Sequence, residues 1–588
     1  MTEVRSTSAE GLPPGDSAEP DEIPYGARME GHGGELAVAV ARGYGVETMY
    51  TLSGAHVFPL YDAAVKRDPP LRLIDVRHEQ TAVFAAEATA KLTRTPGLAV
   101  LTAGPGVTNG ISAVTTAHFN GSAVVVLGGR APAWRWGSGS LQELDHPPLL
   151  APVTKLATTA RSTESIPERV DDAFRTATSP HRGPVFLDVA MDHLYSRAEV
   201  ALPPVPVRRP VAPDSEMLAD VAAALAQAER PVLVLGSDVW ADGAEEAARR
   251  AADALGVPVV ANGMGRGILP AGHPQLVTKA RSLALGQADL VIVVGAPLDF
   301  RLGYGSFGGK RPAASSAEDR QDSHEVPTAR VIHLADSSDQ VARHVALAAA
   351  ASGDLSLIFE GLIEAWEQQL RRPAWEHWLG RLADAVTATA EKDAEMLGSD
   401  ADPIHPARIY GELVRRLDND AVVIGDGGDF VSFAGKYIEP RHPGGWLDPG
   451  PYGCLGTGLG YAIAARLARP SSQVVLMLGD GAAGFSLMDV DTLVRHGLTV
   501  VMVVGNNGCW GLEKHPMRFL YGYDVAADLA PQTRYDSVVS ALGGAGELVT
   551  APSDIGPALD RAFAADVPYL INVISDPDVI YPRTTTGI

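Results

Sequence analysis

At 588 residues the chain is too long for one hydrophobic core and points to about three domains of ordinary size. A composition 46% hydrophobic and 20% charged is that of a globular protein, and a formal net charge of −23 argues against nonspecific binding to nucleic acid or anionic membranes. No apolar run approaches the length of a membrane span, and the only cysteines, Cys454 and Cys509, make no disulfide framework and fit a reducing cytoplasm.

Residues 1–28 are rich in Ser, Pro, Gly and acids, have no signal-peptide core, and read as a disordered tail. From about Glu30 helix and strand patterns alternate. Leu36 to Gly43 reads as a helix and Thr48 to Leu52 as a strand. The strand Leu71 to Val76 leads into an alanine-rich helix running from Arg77 to Leu92. Strands at Leu98 to Leu101, Ala123 to Leu127 and Pro184 to Asp188 follow. This places a first domain at 29–195. Leu202 to Pro213 is a stiff proline-rich linker. Beyond it, strands at Val232 to Leu235, Pro258 to Ala261, Leu290 to Val294 and Val331 to Leu334 mark a central domain at 213–350. Gly303 to Arg330 reads as a long loop, and its charged run Glu318 to Asp322 as a solvated face. Polar helical sequence from Leu355 to Glu395 crosses to a third domain at 403–582. The expected fold class is α/β, with three doubly wound parallel-sheet domains.

The densest chemistry is in the third domain. Gln473 to Leu478 is an apolar run suited to a buried parallel strand, and it ends at Gly479-Asp480-Gly481. Phe485 to His496 reads as a helix and Leu498 to Val504 as the next strand, which ends at Gly505-Asn506-Asn507-Gly508. The carboxyl edge of an open parallel sheet is where ligands bind. A carboxylate and an amide oxygen meeting there suit Mg²⁺, which takes hard oxygen ligands shared with a diphosphate. Glycines let the backbone approach the phosphates, and helix-opening amides can donate to them. Gly-Asp-Gly alone is a common surface turn; the pairing with Asn-Asn between two strands carries the signal.

Together these residues resemble the diphosphate-binding motif of the thiamine-diphosphate enzymes. The resemblance implies Mg²⁺ held by Asp480, Asn507 and the carbonyl of Cys509, with Gly479, Gly481 and Ala482 beside the diphosphate. In the first domain, Arg77-His78-Glu79-Gln80 resembles the family's Arg-His-Glu, which makes Glu79 the carboxyl group that activates the cofactor through its aminopyrimidine. Thr102 to Asn109, with Pro105 and Asn109, resembles the family's Gly-Pro-Gly-x-Thr-Asn turn against the pyrimidine, and Gly54 lies in the preceding loop. Gly453 to Gly458 aligns with the stretch that keeps the cofactor bent, with Leu455 as the wedge.

Within the family the chain is similar to acetolactate synthase large subunits. Leu141-Gln142-Glu143 resembles their Phe-Gln-Glu and makes Gln142 an active-site amide; Asp299-Phe300-Arg301 resembles their Asp-Asp-Arg beside FAD. Four departures stand out. His56 occupies a small-residue position, as in benzaldehyde lyase, where a histidine moves protons. Gly425 to Phe430 alters the loop that contains Gly427. Phe300 replaces the second Asp, so whether FAD or ADP occupies the central domain is open. His515 stands where the synthases carry a tryptophan gate. For both histidines the plain alternative is a satisfied structural side chain. The resemblance implies carboligation of 2-oxo acids: decarboxylation of pyruvate and transfer of the two-carbon unit to a second 2-oxo acid, in branched-chain amino acid biosynthesis. It also implies a homodimer or homotetramer with sites between subunits. The alternatives are a lyase or carboligase acting on 2-hydroxy ketones or 2-hydroxyacyl-CoA, and a non-catalytic cofactor-binding paralogue.

Overall fold

The computed structural model describes residues 27–66, 68–204, 209–309 and 329–581. All but the last two residues of the expected amino-terminal tail lie outside these, as do the Glu318 to Asp322 run, part of the proline-rich linker and the last residue of the third domain.

Three parallel sheets form the frame. The first has the strand order Arg72–Asp75, Thr48–Thr51, Gly97–Leu101, Val124–Arg130, Val185–Ala190, Leu156–Ala160. The central sheet runs Val259–Ala261, Pro231–Leu235, Leu290–Val294, Arg330–Ala335, Ala349–Ser352. The third runs Trp446–Leu447, Val422–Asp426, Val474–Gly479, Val501–Asn506, Tyr569–Ile574, Ala545–Val549. Val124 to Gly129, Leu290–Val294 and Val474 to Leu478 are buried throughout, as strands covered by helices on both faces must be. In each sheet the order reverses beside the first strand, which opens a crevice at the carboxyl edge.

Four edge strands, Leu156–Ala160, Ala349–Ser352, Trp446–Leu447 and Ala545–Val549, and the inner strand Val422–Asp426 have no counterpart in the sequence reading. Neither does an antiparallel pair outside the sheets, Arg28–His32 with Arg197–Ala201. This pair carries backbone pairing of the first unit to Ala201, past position 195.

The first and third domains meet along two helices, Glu79–Thr93 and Thr457–Ala468. Alanines 85, 86 and 88 face a helix carrying Ala462, Ala464 and Ala465, all buried. At Gly460 a Cβ would lie 2.6 Å from the Cβ of Phe84 and 2.9 Å from the Thr81 carbonyl, so only glycine allows this approach. Phe84 packs edge-on to Tyr461, whose hydroxyl donates to the fully buried Glu87 at 2.9 Å. Thr81 Oγ1 donates to Asp489 across the same seam at 2.6 Å.

Candidate active site: two half-sites in different domains

The carboxyl edge of the third sheet opens into a cavity of about 250 Å³. Gly427, Asp429, Leu455, Gly479, Asp480, Gly481, Ala482, Asn507, Cys509 and Trp510 are among its lining residues. Asp480 is the first residue of a helix, Asp480–Ser486, and Gly479 is its extended N-cap. This corrects the sequence reading, which started the helix at Phe485: the glycine-rich turn is already helical. Gly481 is needed there because a Cβ would lie 2.4 Å from the Trp510 ring.

The Asp480 carboxylate is buried at 3% exposure and accepts from the Gly481 amide at 2.8 Å and the Gly508 amide at 2.7 Å. Burial pushes its pKa up to about 6, against the pull of those amides. A buried carboxylate whose donors are backbone amides gains from a cation, and the neighbouring donors are hard oxygens suited to Mg²⁺. Asn507 Oδ1 accepts from the Cys509 amide at 3.1 Å, which fixes the turn that offers the Cys509 carbonyl. The donor set therefore fits the metal. The Cys509 thiol is a poor nucleophile: burial pushes it up to about 11. Leu455 is held from behind by Asp426, a fully buried carboxylate that accepts from the Gly456 amide at 3.0 Å and the Gly458 amide at 2.8 Å.

The second half-site is in the first domain. Glu79 opens its helix behind the N-cap His78 and is buried at 6% exposure. Asn109 Nδ2 donates to its Oε2 at 3.0 Å, while Oε1 faces Gly106. Gly54 packs so tightly on Thr102 that a Cβ would lie 2.2 Å from the Thr102 Cβ. Pro105 begins the helical turn Pro105–Asn109 and is exposed, as is Asn109. Gln142 is left-handed, with φ of 60°, and lies against Gly104. The structure thus brings Gly54, Glu79, Pro105, Asn109 and Gln142 to one face of the first domain. His56 joins them. It is buried, its Nδ1 lies 3.2 Å from Thr102 Oγ1, and the ring also bonds the Leu141 backbone. Burial lowers its pKa, so the ring stays neutral at physiological pH.

His515 is not brought to the cavity. Its helix, Gly511–Tyr521, turns Gly511, Leu512 and Glu513 toward the lining, whereas the His515 ring bonds the Pro577 backbone. His515 follows Gly511 and Leu512 by one helical turn on the same side of the helix, so a rise of about 1.5 Å per residue carries it past the cavity rim. Lys514 pairs with Asp528.

The central domain does not fit FAD. The carboxyl edge of its sheet is filled by Trp240, whose Nε1 donates to the Lys91 carbonyl at 2.6 Å and whose ring is covered by Arg94 at 3.7 Å. The space remaining there is about 40 Å³, far below the roughly 300–1,000 Å³ of ordinary ligand pockets. Arg301 is folded back on Asp299, with Nη2 at 2.7 Å from Oδ2.

Two residues went unread in the sequence. His146 and Asp188, both fully buried, join the Gly104 turn to the sheet. Their separation along the chain hides the pairing, and a lone histidine carries no motif.

The cavity lining comes wholly from residues 406–579, so Glu79 and its neighbours form no part of it within one chain. No helix among the described residues is long and apolar enough to cross a membrane.

Comparison with known proteins agrees with this partition. The family model for the N-terminal TPP binding domain of thiamine pyrophosphate enzymes matches residues 31–149, that for the central domain matches 218–362, and that for the C-terminal TPP binding domain matches 426–573. The chain is 47% identical over 555 residues to proteins described as the acetolactate synthase large subunit IlvG of Mycobacterium tuberculosis and as a probable acetolactate synthase of Mycobacterium bovis, covering 94% of this chain and 97% of each relative. It is 34% identical over 556 residues to a 2-hydroxyacyl-CoA lyase 2 of Caenorhabditis elegans, covering 88% and 84%.

Proposed function

The chain belongs to the thiamine pyrophosphate enzymes, in the branch of the acetolactate synthases, and on that premise we propose that it joins two 2-oxo acids with loss of carbon dioxide. Pyruvate is the donor in this reading, and its two-carbon unit passes to the carbonyl of a second 2-oxo acid. The observation that carries the reading is the pair of half-sites: a buried carboxyl group beside a turn that exposes Pro105 and Asn109 in one domain, and an oxygen-lined cavity in another.

Thiamine diphosphate, when bound, supplies a carbon that adds to the donor carbonyl and takes up the electron pair left by decarboxylation. The protein's own residues set the conditions for this. Asp480, Asn507 and the Cys509 carbonyl would hold Mg²⁺, and through it the diphosphate. Glu79 would hold a proton at Oε1 for a ring nitrogen of the cofactor, with Oε2 fixed by Asn109. Burial at this depth keeps water from competing for that oxygen. Leu455 gives the cavity an apolar wall against which the cofactor would rest. The Gln142 amide flanks the substrate side and can donate to a carbonyl oxygen as negative charge develops on it, while His56, its ring bonded to the Thr102 hydroxyl and the Leu141 backbone, forms the wall beside it.

The half-sites complete each other when the Glu79 face of one copy covers the Asp480 cavity of a second, which makes the working unit a homodimer or a dimer of dimers. Incubating purified protein with thiamine diphosphate, Mg²⁺ and pyruvate, alone and with 2-oxobutyrate, tests the reading. Acetohydroxy acids should accumulate with release of carbon dioxide. Cleavage of a 2-hydroxyacyl-CoA in parallel, without turnover of pyruvate, would instead favour the lyase reaction.

A further inference from the structure

We propose that His146, oriented by Asp188, is a positioning residue that locks the loop carrying Gln142 onto the turn that holds Glu79. The inference rests on the thiamine-dependent reading of these two half-sites.

The imidazole lies between two partners and is fully buried. Its Nε2 accepts from the Gly104 amide at 2.9 Å, and its Nδ1 lies 2.9 Å from Asp188 Oδ2. An amide can only donate, so Nε2 carries the lone pair and Nδ1 the proton. Asp188 is itself fixed: Thr159 donates to one oxygen at 2.5 Å and Arg130 to the other at 2.9 Å. The chain Arg130–Asp188–His146–Gly104 runs from the carboxyl ends of two central strands, Val124–Arg130 and Val185–Ala190, to the site.

Gly104 is the point where this matters. Its φ of 61° and ψ of −115° suit only glycine, and it is the N-cap of the turn Pro105–Asn109. Its carbonyl accepts from Thr108 at 3.0 Å, so fixing its amide fixes the start of the turn. That turn ends at Asn109, which bonds Glu79. On the other side Gln142 sits against Gly104, four residues before His146 on the same loop. The bond from His146 to Gly104 therefore sets the register between the amide on the substrate side and the carboxyl group on the cofactor side. Without it the buried Gly104 amide has lost its acceptor, and the two segments can slide.

The test compares His146→Gln, which can place an oxygen near the Nε2 position, with His146→Leu, which fills the volume without an acceptor. Three readouts are taken: amide hydrogen exchange of the 101–109 segment in cofactor-free protein, thiamine diphosphate affinity in the presence of Mg²⁺, and kcat against KM. The Leu variant should expose the segment to faster exchange and lose about 10- to 100-fold in cofactor affinity and kcat, with KM nearly unchanged. The Gln variant should recover most of both. Asp188→Asn, which removes the charge that fixes the tautomer, should reproduce the Leu pattern more weakly and serves if the Leu variant does not fold. Wild-type exchange and affinity in the Leu or Asn variant, or equal losses in Leu and Gln, would overturn the proposal. Exchange and affinity need no substrate. A wild-type protein inert toward pyruvate that still shows the Gln–Leu contrast would sink the reaction and leave the positioning role standing.

Discussion

Glu79→Gln and Asp480→Asn, made in separate chains and then combined, give the sharpest test of where the active site lies. Glu79→Gln removes the ionisable oxygen while keeping an amide oxygen for Asn109 Nδ2, now 3.0 Å from Glu79 Oε2, so the fold should be unaffected. Loss of a positioned acid–base group costs about 10²- to 10⁴-fold in turnover. Asp480→Asn leaves one oxygen for two amides, at 2.8 and 2.7 Å, and turns an NH₂ toward the other donor. Each charge-assisted bond lost in a buried site is worth about 1.5–3 kcal/mol, or roughly 10- to 150-fold in metal and cofactor affinity. Glu79→Gln should therefore fall below about 1% of wild-type activity, and Asp480→Asn to about 1–10% at cofactor concentrations below saturation. The two chains are coexpressed with different tags and the mixed dimer is purified on both. In that dimer one site pairs both substitutions, while the other pairs an intact Glu79 with an intact Asp480. The mixed dimer should regain about half the wild-type turnover, as two-fold symmetry requires. Activity no higher than the parents would mean that Glu79 and Asp480 serve the same site within one chain, and the division into half-sites would be wrong.

Three further outcomes are expected. Cys509→Ala should keep thiamine diphosphate and Mg²⁺ affinity within about threefold, because the backbone carbonyl and not the buried thiol is the ligand offered; a large loss on titration would point to the sulfur. Burial raises Asp426 from 3.8 to about 7. Its contribution to stability is thus complete at pH values below the ordinary carboxylate range and is lost as pH rises through about 7. In thermal melts of cofactor-free protein, wild type should gain relative to Asp426→Asn on going from pH 8 to pH 5; a constant difference would refute this. Purified protein should lack a flavin absorbance band and should not gain activity from added FAD, because Trp240 and Arg94 fill the edge where a dinucleotide would lie; stoichiometric bound flavin would contradict the closed edge.

Much of the frame was legible because buried parallel strands are continuous apolar runs: Leu290–Val294 lies where the sequence places it, residue for residue. Edge strands were legible only in part: Arg72–Asp75 and Val259–Ala261 lie where their apolar runs place them, and the other four were missed. Ala349–Ser352 is built from residues that favour helices, and Leu156–Ala160 is only half-buried, so neither carries an apolar run. Gly479-Asp480-Gly481 reads as a turn from propensity, yet packing against Trp510 makes it the first turn of a helix. The polar groups of the site divide in the same way. Glu79, Asn109, Asp480 and Asn507 announce themselves through motif spacing. His146, in the loop ahead of Pro147–Leu150, and Asp188, on the strand Val185–Ala190, become partners only when that loop folds over the end of the sheet. His515 lies one turn beyond the residues of its helix that line the cavity, a distance that motif order alone does not give.

The antiparallel pairing of Arg28–His32 with Arg197–Ala201, extended by the Leu202 amide to the Ala27 carbonyl at 2.9 Å, zips the entrance of the first domain to its exit. The first domain therefore has its covalent entry and exit side by side, while its packing on the third domain runs along the helices Glu79–Thr93 and Thr457–Ala468. A cassette cut at 28 and 201 keeps both strands of that pair, and exchange between relatives then turns on matching the Glu79–Thr93 helix to its partner helix, whereas a cut at 195 leaves a lone strand with nothing to pair.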